Sequence, residues 1–315
     1  MKNVFCIGEL LIDFVAEKQG SDLSKANDFT KKAGGAPANV ASAIAKLGGK
    51  SYFIGCVGKD PFGTFLINTL MEGKVDVSLA QRSDTFTTLA FVSLASDGER
   101  DFVFSRGADK ELTHDRRLKN LFKDQIVHFG AATSFLGGSL EEAYLIYLQE
   151  AISENSFISF DPNFRVDLWK GTEATFVQKC IPFIEKSHLC KFSLEEAQLI
   201  SGKENLEEAC AFLHQLGTKI ITVTLGSEGT YLSTPTIKKI IPSIKVKPID
   251  TTGAGDAFIG CLLKQIALTN KVDILMADSG PLENMVQQAN KAGAITTTNY
   301  GAIESLPTQE QLNQL

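Results

Sequence analysis

The chain lacks the marks of several protein classes. None of its six cysteines, at 6, 56, 180, 190, 210 and 261, forms a C-x-x-C pair, and Cys6, Cys56, Cys190 and Cys261 stand in apolar stretches. This excludes a secreted disulfide scaffold and reads as reduced structural thiols. The four histidines, at 114, 128, 188 and 214, make no H-E-x-x-H or similar pattern, which argues against a zinc hydrolase. There is no dense Lys/Arg cluster, and the net charge is −6, so neither nucleic acid nor a membrane surface is an expected partner. No apolar run approaches the ~20 residues of a bilayer span. Met1-Lys2-Asn3-Val4-Phe5-Cys6 enters a strand-like run without a signal-peptide h-region, so a cytoplasmic location is expected. Two phosphate motifs are missing as well. Gly49-Lys50-Ser51 has Ile44 where a P-loop needs glycine, and Gly253-x-Gly255 is followed by Phe258 where a dinucleotide fingerprint needs its third glycine.

What is present suits a soluble α/β enzyme. The 315 residues are 43% hydrophobic and 22% charged, enough to bury a full core. Strand-like runs at Val4–Ile7, Tyr52–Val57, Ile126–Phe129, Phe157–Phe160, His188–Phe192 and Ile220–Leu225 alternate with helical patterns. Ala36–Leu47 carries an apolar face, and Ser139–Ser153 opens on Ser139-x-x-Glu142, a capping-box pattern. The alternation predicts a parallel sheet with helices on both faces. Thr88–Ala95 and Arg100–Ser105, joined by Ser96-Asp97-Gly98-Glu99, instead predict a hairpin set apart from that sheet. Phe14–Thr30, with its Gly20-Ser21-Asp22 turn, is expected to add to it as a lid. No linker marks a second domain, so 1–315 is read as one unit with lid segments at about 14–32 and 86–107.

Ligands of open α/β sheets bind at the carboxyl ends of the strands. Those positions hold Gly8-Glu9, Gly58-Lys59-Asp60, Gly130, Asp161-Pro162-Asn163, Ser193 and Gly226-Ser227-Glu228-Gly229, small and polar as a phosphate or polyol site requires. The most informative stretch is Asp250-Thr251-Thr252-Gly253-Ala254-Gly255-Asp256, running into Ala257–Leu263. A small-residue loop entering a helix offers free N–H groups to an anion. Asp256 in the first turn is then either the base that takes an acceptor's proton or an ordinary helix-start aspartate.

This stretch resembles the C-terminal signature of the ribokinase-like, phosphofructokinase-B type carbohydrate kinases. Ala33-Gly34-Gly35-Ala36-Pro37-Ala38-Asn39-Val40-Ala41, running on through Leu47-Gly48-Gly49 to Gly58, resembles their N-terminal signature. The likeness extends from Gly8 to Pro307. It implies a three-layer α/β/α sandwich with a mostly parallel sheet and a small β-sheet lid. Gly8-Glu9-Leu-Leu-Ile-Asp13, Asp60-Pro-Phe-Gly63, Arg106-Gly-Ala-Asp109 and Asp161-Pro-Asn163-Phe-Arg165 are most similar to bacterial fructokinases. The implied reaction is transfer of phosphate from ATP to the 6-hydroxyl of D-fructose. 2-Keto-3-deoxygluconate kinase is the nearest competitor, and a non-catalytic sugar-binding regulator is the alternative of another class.

The resemblance also implies roles. Asp256 would be the catalytic base, with Gly253, Ala254 and Gly255 as the anion hole. Asp13, Gly34, Gly35 and Asn39 would hold sugar hydroxyls, with Arg106 and Arg165 reaching in. Thr224, Gly226, Ser227 and Gly229 would cradle the nucleotide, Asn290 would line the adenine pocket, and Lys191 would meet a phosphate or stay in solvent. Where relatives carry Asn-x-x-Glu for indirect Mg²⁺ binding, this chain has Ser193-Leu194-Glu195-Glu196, so Glu196 either serves magnesium or only caps its helix. Asp250, Thr252, Thr296, Asn299, Gly301 and Ser305 fall where relatives build a K⁺ site. The lid hairpin offers an edge for a homodimer.

Overall fold

The protein is described by a computed structural model that covers residues 1–315 except 18, 19, 21, 95–99, 270–274, 276–279 and 315. Its strands are β1 (Asn3–Ile7), β2 (Leu11–Ala16), β3 (Phe29–Gly34), β4 (Lys50–Ile54), β5 (Cys56–Gly58), β6 (Gln81–Ser83) and β7 (Leu89–Leu94). They continue as β8 (Arg100–Ser105), β9 (Ile126–Gly130), β10 (Phe157–Asp161), β11 (Leu189–Ser193), β12 (Ile220–Thr224), β13 (Thr230–Ser233) and β14 (Lys238–Ile241). The helices are α1 (Ala36–Lys46), α2 (Pro61–Glu72), α3 (Leu118–Leu121), α4 (Ser139–Ser153), α5 (Val166–Trp169) and α6 (Glu173–Lys186). They end with α7 (Leu194–Ser201), α8 (Leu206–Leu216), α9 (Ala254–Leu268), α10 (Gly280–Thr296), α11 (Ala302–Ser305) and α12 (Gln309–Asn313).

The large sheet has the order β14-β13-β12-β11-β10-β9-β1-β4, parallel from β4 to β12 and antiparallel at β13 and β14. Val4, Phe5, Cys6 and Ile7 are all buried, because both faces of the sheet are covered. Val4 and Cys6 join a core with Val40 of α1, Ile259 of α9 and Val286 of α10. Phe5 and Ile7 point the other way, into a core with Tyr144 of α4, Phe183 of α6 and Leu213 of α8. The three-layer arrangement is therefore present.

A smaller sheet of order β3-β2-β7-β8 holds the expected hairpin, β7 with β8, and adds β2 parallel to β7. The turn at 96–99 lies outside the described residues, as does part of the one at 20–22. β2 and β3 extend beyond the segment 14–32, so Asp13 sits within a strand, opposite Lys32. Two further expectations are corrected. The run Tyr52–Val57 divides at Gly55: the chain leaves the large sheet there, Gly55 O takes the Gln81 amide at 2.8 Å, and β5 pairs with β6. Ser139 does not cap α4. Gly138 holds the N-cap position, and the Ser139 hydroxyl donates to Lys110 O at 3.1 Å. The local pattern lost to a tertiary partner.

Candidate active site

The loop 250–256 enters α9 through Gly253, whose φ of +78° is left-handed and whose missing Cβ leaves room for Ala302, 2.7 Å from where that atom would be. The helical ladder begins with Ala257 N donating to Gly253 O at 2.8 Å. The amides of Gly255 and Asp256 precede that ladder, at the positive end of a 15-residue helix. Asp256 is 7% exposed, and its Oδ2 accepts Asn39 Nδ2 at 2.8 Å. Burial raises its pKa, opposed by the Asn39 hydrogen bond and by the charges of Lys191 and Arg165. A base works in its ionised form, so an Asp256 serving as one would make turnover rise with pH through that pKa. Asn39→Ala removes a contact that favours the ionised form. The acid limb of the kcat/KM profile should therefore move to higher pH, and an unmoved limb would separate Asn39 from the base.

Lys191 lies at the floor of the same region. Its Nζ pairs with Asp161 Oδ2 at 3.1 Å, and a Cβ on Gly255 would meet that Nζ at 3.0 Å. The alternative of a solvent-facing lysine is excluded, since it is 7% exposed. Burial works against the ammonium, but Asp161, Glu196 and Asp256 more than offset it and its pKa is raised. Burial also raises the pKa of Asp161 and Glu196, with Lys191 pulling both down. The capping box of α7 is formed: Glu196 N donates to Ser193 Oγ, and Ser193 N to Glu196 Oε2. Glu196 Oε1 also accepts Phe164 N at 2.7 Å, so this carboxylate ties the end of β11 to the segment after β10.

On the side of the smaller sheet, Asp13 lies so near Gly34 that a Cβ there would collide with its carboxylate. Arg165 is exposed and donates to Phe164 O at 3.3 Å, within electrostatic reach of Asp256. Arg106 makes its hydrogen bonds within the protein. Its Nε donates to Asp109, its Nη1 to Leu136 O at 2.6 Å and its Nη2 to Thr133 O at 3.2 Å. The guanidinium is held inward as a clasp between β8 and the 133–136 loop.

Thr224 lies beside Ser193 in register, and its hydroxyl donates to Phe192 O at 3.3 Å. Gly226 and Ser227 are exposed on the turn that follows, closed by Leu225 N donating to Gly229 O. Asn290 is 6% exposed and internally bonded: Oδ1 accepts Thr230 Oγ1 at 2.6 Å and Nδ2 donates to Ile241 O at 2.8 Å.

The segments expected around K⁺ adjoin one another. Asp250 Oδ1 accepts the Thr252 amide and hydroxyl, Asp250 Oδ2 accepts the Gly301 amide at 3.0 Å, and Thr297 O accepts the Ile249 amide. The hydroxyls of Thr296 and Ser305 donate to Ala292 O and Tyr300 O, and Asn299 bonds Thr298.

The family model described as pfkB family carbohydrate kinase matches residues 1–309. The chain belongs to that family. Fructokinase-1 of Oryza sativa subsp. japonica is similar, 37% identical, with 99% of this chain and 97% of the relative covered. A solved fructokinase with bound ATP from Xylella fastidiosa matches with a TM-score of 0.87 at 29% identity, covering 99% and 97% of the two chains. A double mutant of Vibrio cholerae O395 fructokinase, solved with fructose, ADP and potassium ion, matches with 0.85 at 29%, covering 100% and 98%. This pfkB carbohydrate kinase is thus an ATP-dependent sugar kinase. No helix among the described residues is long and apolar enough to cross a membrane.

Two buried carboxyl groups, Asp161 and Glu9, have no role in the sequence reading. Asp161 was visible only as a strand-end aspartate, and Glu9 only as part of a run after β1. The signal was a polar residue at the end of a buried strand for Asp161 and just beyond one for Glu9.

Proposed function

We propose that this kinase transfers the γ-phosphate of ATP to the 6-hydroxyl of D-fructose. The observation that carries the reading is the buried Asp256 carboxylate, held by Asn39 at the N-terminus of α9 and neighboured by Lys191. A hydroxyl lying between that carboxylate and a γ-phosphate at the α9 amides would lose its proton to Asp256 as it attacks in line. Charge developing on the transferring group would meet the amides of the 253–255 loop. Asp13, Gly34, Gly35 and Asn39 would orient the sugar; Thr224, Gly226, Ser227 and Gly229 the nucleotide. The smaller sheet acts as a lid on a chain that we read as one unit, excluding water that would otherwise hydrolyse ATP.

The arginines favour a neutral hexose over a keto acid. Arg106 is committed to Asp109 and two carbonyls, which leaves Arg165 as the exposed guanidinium within electrostatic reach of Asp256, whereas a substrate carboxylate is best met by two.

Magnesium fits the donor set. Asp161, Glu196 and Asp256 outnumber the single ammonium among them, and Mg²⁺ prefers such oxygens through its waters while riding on nucleotide phosphates. Asp161 and Glu196 would orient those waters, and the ion would neutralise phosphate charge. K⁺, held by carbonyls near Asp250, Thr252, Thr296, Asn299, Gly301 and Ser305, would steady the loop that leads to Gly253. ADP release with fructose, mannose, ribose and 2-keto-3-deoxygluconate tests the reading, each with Mg²⁺ or EDTA and with K⁺ or tetramethylammonium. Fructose should lead, dependent on Mg²⁺ and faster in K⁺. Preference for the keto acid would overturn the sugar, and equal rates in the two monovalent salts the K⁺ site.

A further inference from the structure

Just after β1 the chain buries a carboxyl group to which the reaction assigns no task. Glu9 is 1% exposed. Its Oε1 accepts the Ala36 amide at 3.0 Å, while Oε2 is buried without a hydrogen-bond partner. Burying a carboxylate is costly unless its surroundings reward it, so the placement calls for a reason.

The reason lies at the start of α1. Its N-cap is Gly35, which has no side chain to cap the helix and adopts a φ of +111°. A Cβ at Gly35 would meet Glu9 O at 2.5 Å, so Glu9 touches this turn twice, by its backbone under Gly35 and by its carboxylate on Ala36. A side chain from another segment thus does the capping, at the end of the helix whose dipole favours a negative charge. The turn it holds leads straight to the reaction: Asn39 N donates to Gly35 O at 2.9 Å, and Asn39 Nδ2 to Asp256.

We propose that Glu9 is a positioning residue for the sugar, acting through the Ala36 amide to fix the Gly34–Gly35 backbone and the aim of Asn39. The proposal rests on the reading of Gly34, Gly35 and Asn39 as sugar contacts. The charged and titratable groups around Glu9 are Arg165, Asp109 in the turn after β8, and Tyr144 of α4. Burial pushes its pKa up to about 7, with the backbone hydrogen bonds and Arg165 opposing and Asp109 adding. The ionised carboxylate is the stronger acceptor for Ala36, so sugar KM should fall as pH rises through that value.

The test compares wild type with Glu9→Ala and Glu9→Gln, in steady-state kinetics with each substrate varied. Wild type is assayed first. If fructose is not turned over, the fructose reading fails by itself, and the same comparison is made with the sugar that is. Glu9→Ala should raise sugar KM about tenfold while ATP KM stays within about twofold. Glu9→Gln keeps an acceptor for Ala36, so it should retain near wild-type sugar KM at neutral pH and lose the wild-type dependence of that KM between about pH 6 and 8. Parallel rises in both KM values, an unchanged sugar KM in folded Glu9→Ala, or a pH dependence surviving in Glu9→Gln would each overturn the proposal. Should Glu9→Ala not fold, the pH profile of Glu9→Gln decides.

Discussion

Asp256→Asn should lower kcat about 10³–10⁴-fold, the upper range for loss of a general base, while the protein folds and still binds ATP. The amide keeps the shape of the side chain and can still meet Asn39, so packing at the start of α9 survives. What disappears is the group that takes the hydroxyl proton. KM values should change far less than kcat, because the lost interaction belongs to the transition state. Steady-state kinetics with a nucleotide-binding titration check this. A variant retaining more than about a tenth of wild-type turnover would refute the assignment, and the carboxylate would then be a helix-start residue without proton chemistry.

Lys191→Met should cost stability as well as activity, on the order of 3–5 kcal/mol near pH 8, the range for breaking a buried ion pair from one side. Methionine fills similar space, but Asp161, Glu196 and Asp256 would face one another without the ammonium that now moderates them. Burial already raises the pKa of each carboxyl, and removing Lys191 raises it further. An acid with a raised folded pKa binds protons better folded than unfolded, so acidification favours the folded form. The deficit against wild type should therefore shrink as pH falls from about 8 to about 5.5, and urea unfolding at both pH values measures it. A deficit independent of pH would mean that packing, and not charge, accounts for the role of Lys191.

Much of this enzyme is legible in its chain because much of it is local. The strands β1, β9, β10, β11 and β12 are mainly apolar runs buried between helices, and both the period and the small residues at their ends are readable one after another. The loop 250–256 is of the same kind, since a glycine in left-handed conformation and a helix start are properties of neighbouring residues. The sequence by itself thus determined the layered fold and the small-residue loop that enters a helix at Asp256.

The tertiary structure decided which polar group each side chain meets. Asn39 and Asp256 are 217 residues apart, Lys191 and Asp161 are 30, and Glu9 and Ala36 are 27. Arg106 and Arg165 look alike as letters, yet one is clasped by Asp109 and two carbonyls while the other stands exposed within electrostatic reach of Asp256. Ser139 had the spacing of a cap and was claimed by Lys110, whereas Ser193 had the same spacing and kept it. The physical reason is the same in each case. A residue type sets how many hydrogen bonds and charges a side chain can offer, but burial and the nearest partner in space determine where they are used.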